Sequence, residues 1–334
     1  MSAARNALPG AGLDRIPLAL VPLVALAALP LIPSLPTWTT LTVAGLAMGM
    51  MIFVMASGLT LVFGLMDVMN FAHGAFITIG AYVATSVLRP LGGWTQAHSL
   101  WANLAALAPA LLAAMGVTGA LGLVFERVII KPVYGQHLKQ ILITMGGLIV
   151  AEQLIDAIWG PDMIALPKPA TLRGSFVFGD IAIEKYRVLA VIVGLAVFAA
   201  MYLVLNRTRV GLLIRAGVED SEMVEALGYR IRRVFIGVFA AGSALAGLGG
   251  VMWALYQETV TAGMGMQVMI LIFIVIIIGG LGSVGGCFIG ALLVGLVANY
   301  VGFLSPKIAL GSNILLMVLI LLWRPQGLYP VAKR

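Results

Sequence analysis

Charge is what this chain has least of. Of its 334 residues only 10% are Asp, Glu, Lys or Arg, where soluble domains run near 25%. Residues 259–306 contain none, and 41–66, 234–257 and 308–323 are also uncharged. Such stretches exceed or approach the ~20 apolar residues that cross a bilayer, and they exclude an ordinary soluble domain. They are apolar without alternation, which excludes the two-residue period of a membrane β-barrel. Cysteine is nearly missing: Cys287 stands alone, so there is no intramolecular disulfide and no thiolate metal site. Histidine is scarce, with His73, His98 and His137 scattered singly.

Several chemical signatures are missing as well. There is no G-x-x-x-x-G-K-[ST] phosphate loop, and Gly279–Gly286 (GGLGSVGG) lacks the lysine such a loop needs. Neither an H-E-x-x-H zinc motif nor a G-x-S-x-G nucleophile elbow occurs. A membrane enzyme would need a nucleophile–base pair that the chain does not offer, and no metal site is expected. The N-terminal apolar run is punctuated by Pro17, Pro22, Pro30, Pro33 and Pro36 and has no small-residue cleavage site. It reads as a retained first helix rather than a removed signal.

What remains is an all-α, polytopic transmembrane bundle of about eight to ten spans, some broken or re-entrant. Helices are predicted near 17–35, 40–66, 74–88, 100–125, 139–159, 187–205, 234–256, 267–282, 287–304 and 310–323. Residues 1–39 form an N-terminal segment with an extra first helix, and 40–334 the main transmembrane domain. With the N-terminus inside, 14 of the 20 basic residues fall on the inner side, as the positive-inside rule asks. Both termini are then cytoplasmic. The net charge of +7 reflects this topology and calls for membrane lipid, not nucleic acid, as the partner. The longest outer segment, 160–186, has prolines and β-branched residues that suggest extended structure over a pore mouth, either as a connector or as a surface for an outer partner.

Three motifs stand out. In residues 58–84 an apolar helix meets Asp67, Asn70 and His73 before resuming after Gly74. Asn70 and His73 either hold two helix pieces together or contact a permeant, and Asn70 is a candidate cap for the next helix. In residues 276–296, Gly279, Gly280 and Gly282 permit close packing or a break that lines a cavity. The stretches 72–81 and 285–291 both run through a small residue and Phe to Gly-Ala, a pairing that fits repeated halves. Third, residues 206–233 hold ten of the chain's charges. There Glu219 and Asp220 open a predicted short helix ending at Leu227, with Gly228 as its stop. Met223, Val224 and Leu227 form its apolar ridge, and arginines including Arg207 and Arg215 flank it.

Together N-F-A-H-G at 70–74, R-T-R-V-G-L-L-I-R-A at 207–216, E-A-L-G at 225–228, G-G-L-G-S-V-G-G at 279–286 and W-R-P-Q-G-L-Y-P at 323–330 resemble the inner-membrane permeases of branched-chain amino acid ABC importers. The resemblance runs from about residue 40 to the end. It implies a bacterial inner-membrane, non-catalytic subunit that pairs with a second permease subunit, a related chain. Two cytoplasmic ATPase subunits use ATP and Mg, and this chain binds no cofactor itself. A periplasmic binding protein delivers the substrate. The resemblance places a translocation path at Asn70, Phe71, His73, Gly74, Gly279, Gly280, Gly282 and Ser283. It implies an ATPase-coupling role for the charged loop, with Gly211, Arg215, Ala216, Glu225 and Gly228 matching the family's loop and Arg207, Glu219, Met223 and Leu227 added from the reading of the short helix. Many members carry an acid where this chain has Ala75, and several a lysine where it has Leu271. Both departures make the path less charged and widen the substrate class to urea, short amides, and aromatic or dicarboxylic acids. The competing class, a stand-alone secondary transporter or channel, would use Asp67, Glu126, Glu152, Asp156 or Glu258 for ion coupling.

Overall fold

The computed structural model describes residues 15–330; Arg5, Lys333 and Arg334, counted above for topology, lie outside them. The chain is a helical bundle. It begins with α1 (Arg15–Ala28) and α2 (Leu35–Met66), whose start is capped by Ser34 accepting from the Thr37 amide. There follow α3 (His73–Leu88), the short α4 (Gly92–Thr95) and α5 (Leu100–Phe125). Next come α6 (His137–Trp159), α7 (Lys185–Arg207), α8 (Arg209–Glu219) and α9 (Ser221–Ala226). The last four are α10 (Ile231–Gln257), α11 (Met264–Gly279), α12 (Val284–Leu304) and α13 (Ala309–Trp323). Six helices are long and apolar enough to cross a membrane, and four shorter apolar ones accompany them. All ten predicted helices are present.

α5 does not stop at Phe125. A π-helical turn, Glu126–Ile130, and a 3-10 turn, Lys131–Val133, extend it to a 34-residue span. Pro132, without an amide hydrogen, ends the run. α2, α3, α10, α11 and α12 form the buried centre, while α6 and α7 expose most of their surface. Small residues set the spacing at that centre. Gly49 faces Ala291 and Leu292 of α12, and Gly295 of α12 faces Gly45 and Gly49 in turn. A Cβ on either side would strike backbone, so the helices touch along their main chains. Around this seam pack Phe53, Phe198 and Phe288, with Phe198 stacked on Phe288 at 4.2 Å between ring centres.

The two ends of the bundle differ. At one end, β1 (Ile164–Ala165) pairs antiparallel with β4 (Thr259–Val260), and β2 (Ser175–Phe178) forms a hairpin with β3 (Ile181–Glu184). This is the extended structure predicted for 160–186. At the other end lie α8, α9, the π-helical turn, the break after α2 and the turn before α12. Two contacts fix that grouping: His137 Nε2 lies 3.8 Å from Asp67 Oδ2, and Gly64 packs against Gly282.

Candidate functional site: a charged loop and a broken-helix seam

The charged loop starts where α7 ends. Thr208 turns the chain, its hydroxyl donating to the Val204 carbonyl at 2.6 Å and accepting from the Gly211 amide at 3.3 Å. A Cβ on Gly211 would collide with the carbonyls of Leu205 and Val204, so the tight α7–α8 corner requires glycine there. α8 then buries Ile214 and leaves Arg215 exposed, its Nη1 3.4 Å from Asn206 Oδ1. Arg207 is exposed too, and Ala216 is half-buried. Gly217 sits against Ile231 of α10.

The loop holds two helices where one was predicted. The Ala216 carbonyl accepts from the Asp220 amide at 2.9 Å, which makes Glu219 the last residue of α8 and not the first of the next helix. Asp220 is the N-cap of α9, its Oδ1 accepting from the Met223 amide at 2.8 Å. The acidic pair thus divides between the two helices, because a capping carboxylate must stand outside the helix it caps. α9 ends at Ala226, with the predicted last residue Leu227 as its C-cap, and Gly228 follows with φ +85°. Its amide donates to Glu225 O at 2.9 Å, and the Tyr229 amide reaches back to Val224 O at 3.2 Å, closing the orphan carbonyls of the helix end. Met223 and Leu227 are 61% and 71% exposed, while Val224 is 5% exposed. Val224 therefore anchors α9 inward, and the outward ridge consists of Met223 and Leu227. Glu225 is exposed beside them.

The predicted path residues lie at two helix breaks, packed against neighbouring helices. Ala72, not Asn70, is the N-cap of α3, so Asn70 does not cap it. Asn70 is buried and its Oδ1 has no partner. His73 is also buried; its Nε2 donates to the Met55 carbonyl of α2 at 2.9 Å, which assigns the proton to that nitrogen and leaves Nδ1 unpartnered. The Phe71 ring lies 4.9 Å from that of Phe273 in α11, and Gly74 abuts Gly265 of the same helix. Gly279 faces Gly286, Gly280 and Gly282 take φ +95° and +81°, and the Ser283 hydroxyl accepts from the Gly286 amide at 3.1 Å to cap α12. The tail covers this turn, the Leu328 and Tyr329 amides donating to Ile278 O at 2.9 Å and Gly279 O at 3.0 Å. The two breaks meet through Gly64 and Gly282.

A largely apolar cavity with two asparagines in its wall lies elsewhere. About 430 Å³ in volume, it is lined by Met48, Leu271, Phe303, Asn299 and Asn313 among others. Asn299 Nδ2 donates to Gly295 O at 2.9 Å. Asn313 is 2% exposed and its Oδ1 has no partner. Sequence reasoning missed both asparagines, although each is an isolated amide inside an uncharged apolar run. Leu271, the position where several family members carry lysine, lines this cavity. Of the acids considered for ion coupling, Asp67 neighbours His137, and Glu258 belongs to an ion cluster on the opposite face. Glu126 and Glu152 each keep one buried oxygen without a hydrogen-bond partner, and Asp156 lies within electrostatic reach of Glu152.

Comparison with known proteins agrees with this architecture. Residues 41–323 match the model of the branched-chain amino acid transport system / permease component family. The chain is 29% identical to the high-affinity branched-chain amino acid transport system permease protein BraD of Pseudomonas aeruginosa, over 86% of this chain and 94% of that one. It is 27% identical to LivH of Escherichia coli over 85% and 92%, and 26% identical to LivM of the same species over 85% and 69%. No solved structure matches. With nearly its whole helical bundle inside the matched region, this multi-pass membrane chain belongs to the branched-chain amino acid transport permease family.

Proposed function

We propose that this chain is one of two permease subunits of an ATP-binding-cassette importer in a bacterial inner membrane. Its cargo is a hydrophobic or branched-chain amino acid, or a related small polar solute handed over by a periplasmic binding protein. The observation that carries this reading is the family match across residues 41–323. The charged loop supports it: two capped helices in series present Met223, Leu227 and Glu225 outward, in a chain whose sequence has no phosphate loop. In this reading the loop is the coupling element and lies in the cytoplasm, a side that the basic residues around it favour. Two cytoplasmic ATPase subunits grip it and use ATP and Mg, so this chain is non-catalytic. Since the chain resembles both LivH and LivM, the partner permease is a related chain. The uncharged cavity at Asn299 and Asn313 favours a solute that offers N–H donors, which amino acids, urea and short amides all do.

The test is biochemical. The purified chain should bring down ATPase subunits, and uptake should fail on ATP depletion yet survive an uncoupler. Transport by this chain alone in liposomes, driven by an ion gradient, would overturn the reading in favour of a secondary transporter. Within the loop, Glu225→Arg should lower uptake per ATP hydrolysed while substrate delivery is unchanged; full coupling in that variant would argue against a coupling role.

A further inference from the structure

Where the π-helical turn meets the end of the charged loop, a cavity of about 540 Å³ is lined by Arg127, Lys131, Arg230, Arg232, Arg233 and Glu225. Among the described residues none of these five cations has a carboxylate within 4.0 Å. Glu225 is the only acid named in that lining; Glu126, buried in the π-helical turn, is within electrostatic reach of Arg232, Arg127 and Lys131. The pocket keeps an excess of positive charge. α10 begins there with no side chain capping its N-terminus, and its dipole adds to that field. Arg127 and Lys131 stand at the end of the span Leu100–Val133, and Arg230–Arg233 at the start of Ile231–Gln257. The pocket therefore sits where two spans leave the hydrocarbon, at headgroup depth.

A second feature draws on the same turn. The same π-helical turn that gives Arg127 to the pocket gives Val128 and Ile129 to an apolar groove of about 270 Å³, with Leu121, Val124 and Leu154. A free phosphate would have no use for the groove, whereas an acyl chain would fill it. We infer that the pocket binds the headgroup of an anionic phospholipid, with its phosphate among Arg127, Lys131 and Arg232 and a chain along the groove. The bound lipid ties the exit of the charged loop to the membrane, so bilayer composition acts on the loop directly.

The test uses the purified full chain in phosphatidylcholine nanodiscs doped with phosphatidylglycerol, read by native mass spectrometry. The wild-type chain should retain phosphatidylglycerol in preference to phosphatidylcholine. Arg127→Gln with Lys131→Gln should reduce that retention at least tenfold, Arg127→Lys with Lys131→Arg should keep it, and Arg89→Gln on the opposite face should leave it unchanged. Equal retention of the two lipids by the wild type would overturn the assignment, as would undiminished retention by the glutamine pair or equal loss in the charge-conserving pair. Displacement by millimolar inorganic phosphate would make the site a free-anion site instead. Expulsion of the lipid when the chain assembles with its ATPase subunits would give the pocket to an acidic surface of the ATPase and overturn the lipid source.

Discussion

The segment 160–186, expected from its charges to lie outside, and the charged loop 206–233 at the other end of the bundle are nearly equal in length and different in construction. The first gathers two of its charges, Lys168 and Glu184, into a partly buried ion cluster. Lys168 is 7% exposed; its ammonium lies 2.5 Å from Glu184 Oε1, 3.2 Å from Glu258 Oε1 and 5.5 Å from the Tyr186 ring. Arg187 adds a second cation 3.0 Å from Glu184. Asn103, fully buried, donates to the carbonyls of Trp94, Thr95 and Ala97 and accepts from the Thr171 amide and hydroxyl. The β1–β4 pairing then fastens the segment to the end of α10. Loop 206–233 has no ion pair among the described residues, and it leaves Asp220, Glu225, its arginines and the side chains of Val210, Leu212, Met223, Leu227 and Tyr229 facing out. The two ends even carry cavities of similar size, about 560 and 540 Å³; among the described residues the first is lined by one cation, Arg89, and the second by five. Charges satisfied internally make a fixed cover, and charges left open need a partner to satisfy them.

The contrast predicts opposite failures. The largest effect is expected at Gly228→Pro. Proline holds φ near −65° and cannot take the +85° seen here, and it removes the amide that donates to Glu225 O. Lost hydrogen bond and backbone conflict together cost about 3 kcal/mol, confined to the end of α9. Uptake should fall at least tenfold while ATP hydrolysis and thermal stability of the bundle persist. A matching loss of stability would show that the loop is built into the fold as firmly as the outer segment.

Next is Lys168→Met. It leaves Glu184 with only Arg187, and Glu258 with no cation within 4.0 Å. Breaking a fully buried pair costs roughly 3–5 kcal/mol; because the two glutamates are partly exposed, about 2 kcal/mol is expected here. The thermal midpoint should drop while coupling in the surviving fraction is normal. The same cluster sets a pH limit. Burial disfavours the charged lysine, but the bonds and charges of Glu184 and Glu258 outweigh it and raise the Lys168 pKa above its ordinary value of 10.5. A raised folded pKa means that the stabilisation is fully present below the unfolded value and is lost as pH rises through the folded one. Unfolding midpoints of wild type and Lys168→Met should therefore converge above about pH 10.5; a gap that persists there would assign the effect to packing on Tyr186.

The bundle was largely legible from sequence because hydrocarbon imposes its own rule: every span must be apolar and must satisfy its own backbone. The apolar runs, uncharged or nearly so, accordingly gave all ten helices. The site was less legible, for three physical reasons. Asp220 can serve as a first-turn acid or as an N-cap, and only the backbone around it decides. Residues 209–219 read as a basic flank because their arginines are conspicuous, yet Ile214 faces inward and makes the stretch a packed helix. The π-helical turn at Glu126–Ile130 has no composition signal at all, since it depends on how α5 leaves the bundle. The helix breaks were legible from their glycines, but what packs against each glycine was not: Gly64 stands opposite Gly282, and Gly279 opposite Gly286.

The smallest expected effect separates the last two sources of order in the loop. α9 has six residues, too few to persist alone in water. It is held either by the Asp220 cap or by the burial of Val224. Asp220→Ala removes the acceptor of the Met223 amide and costs about 1 kcal/mol. Amide hydrogen exchange at Met223–Ala226 should then speed up about fivefold, with no change in the thermal midpoint, while Asp220→Ser, which keeps an acceptor, should stay near wild type. Unchanged exchange in the alanine variant would mean that Val224 alone pins the helix. In that case the loop would share the outer segment's dependence on burial, and its openness would be confined to Met223, Glu225 and Leu227.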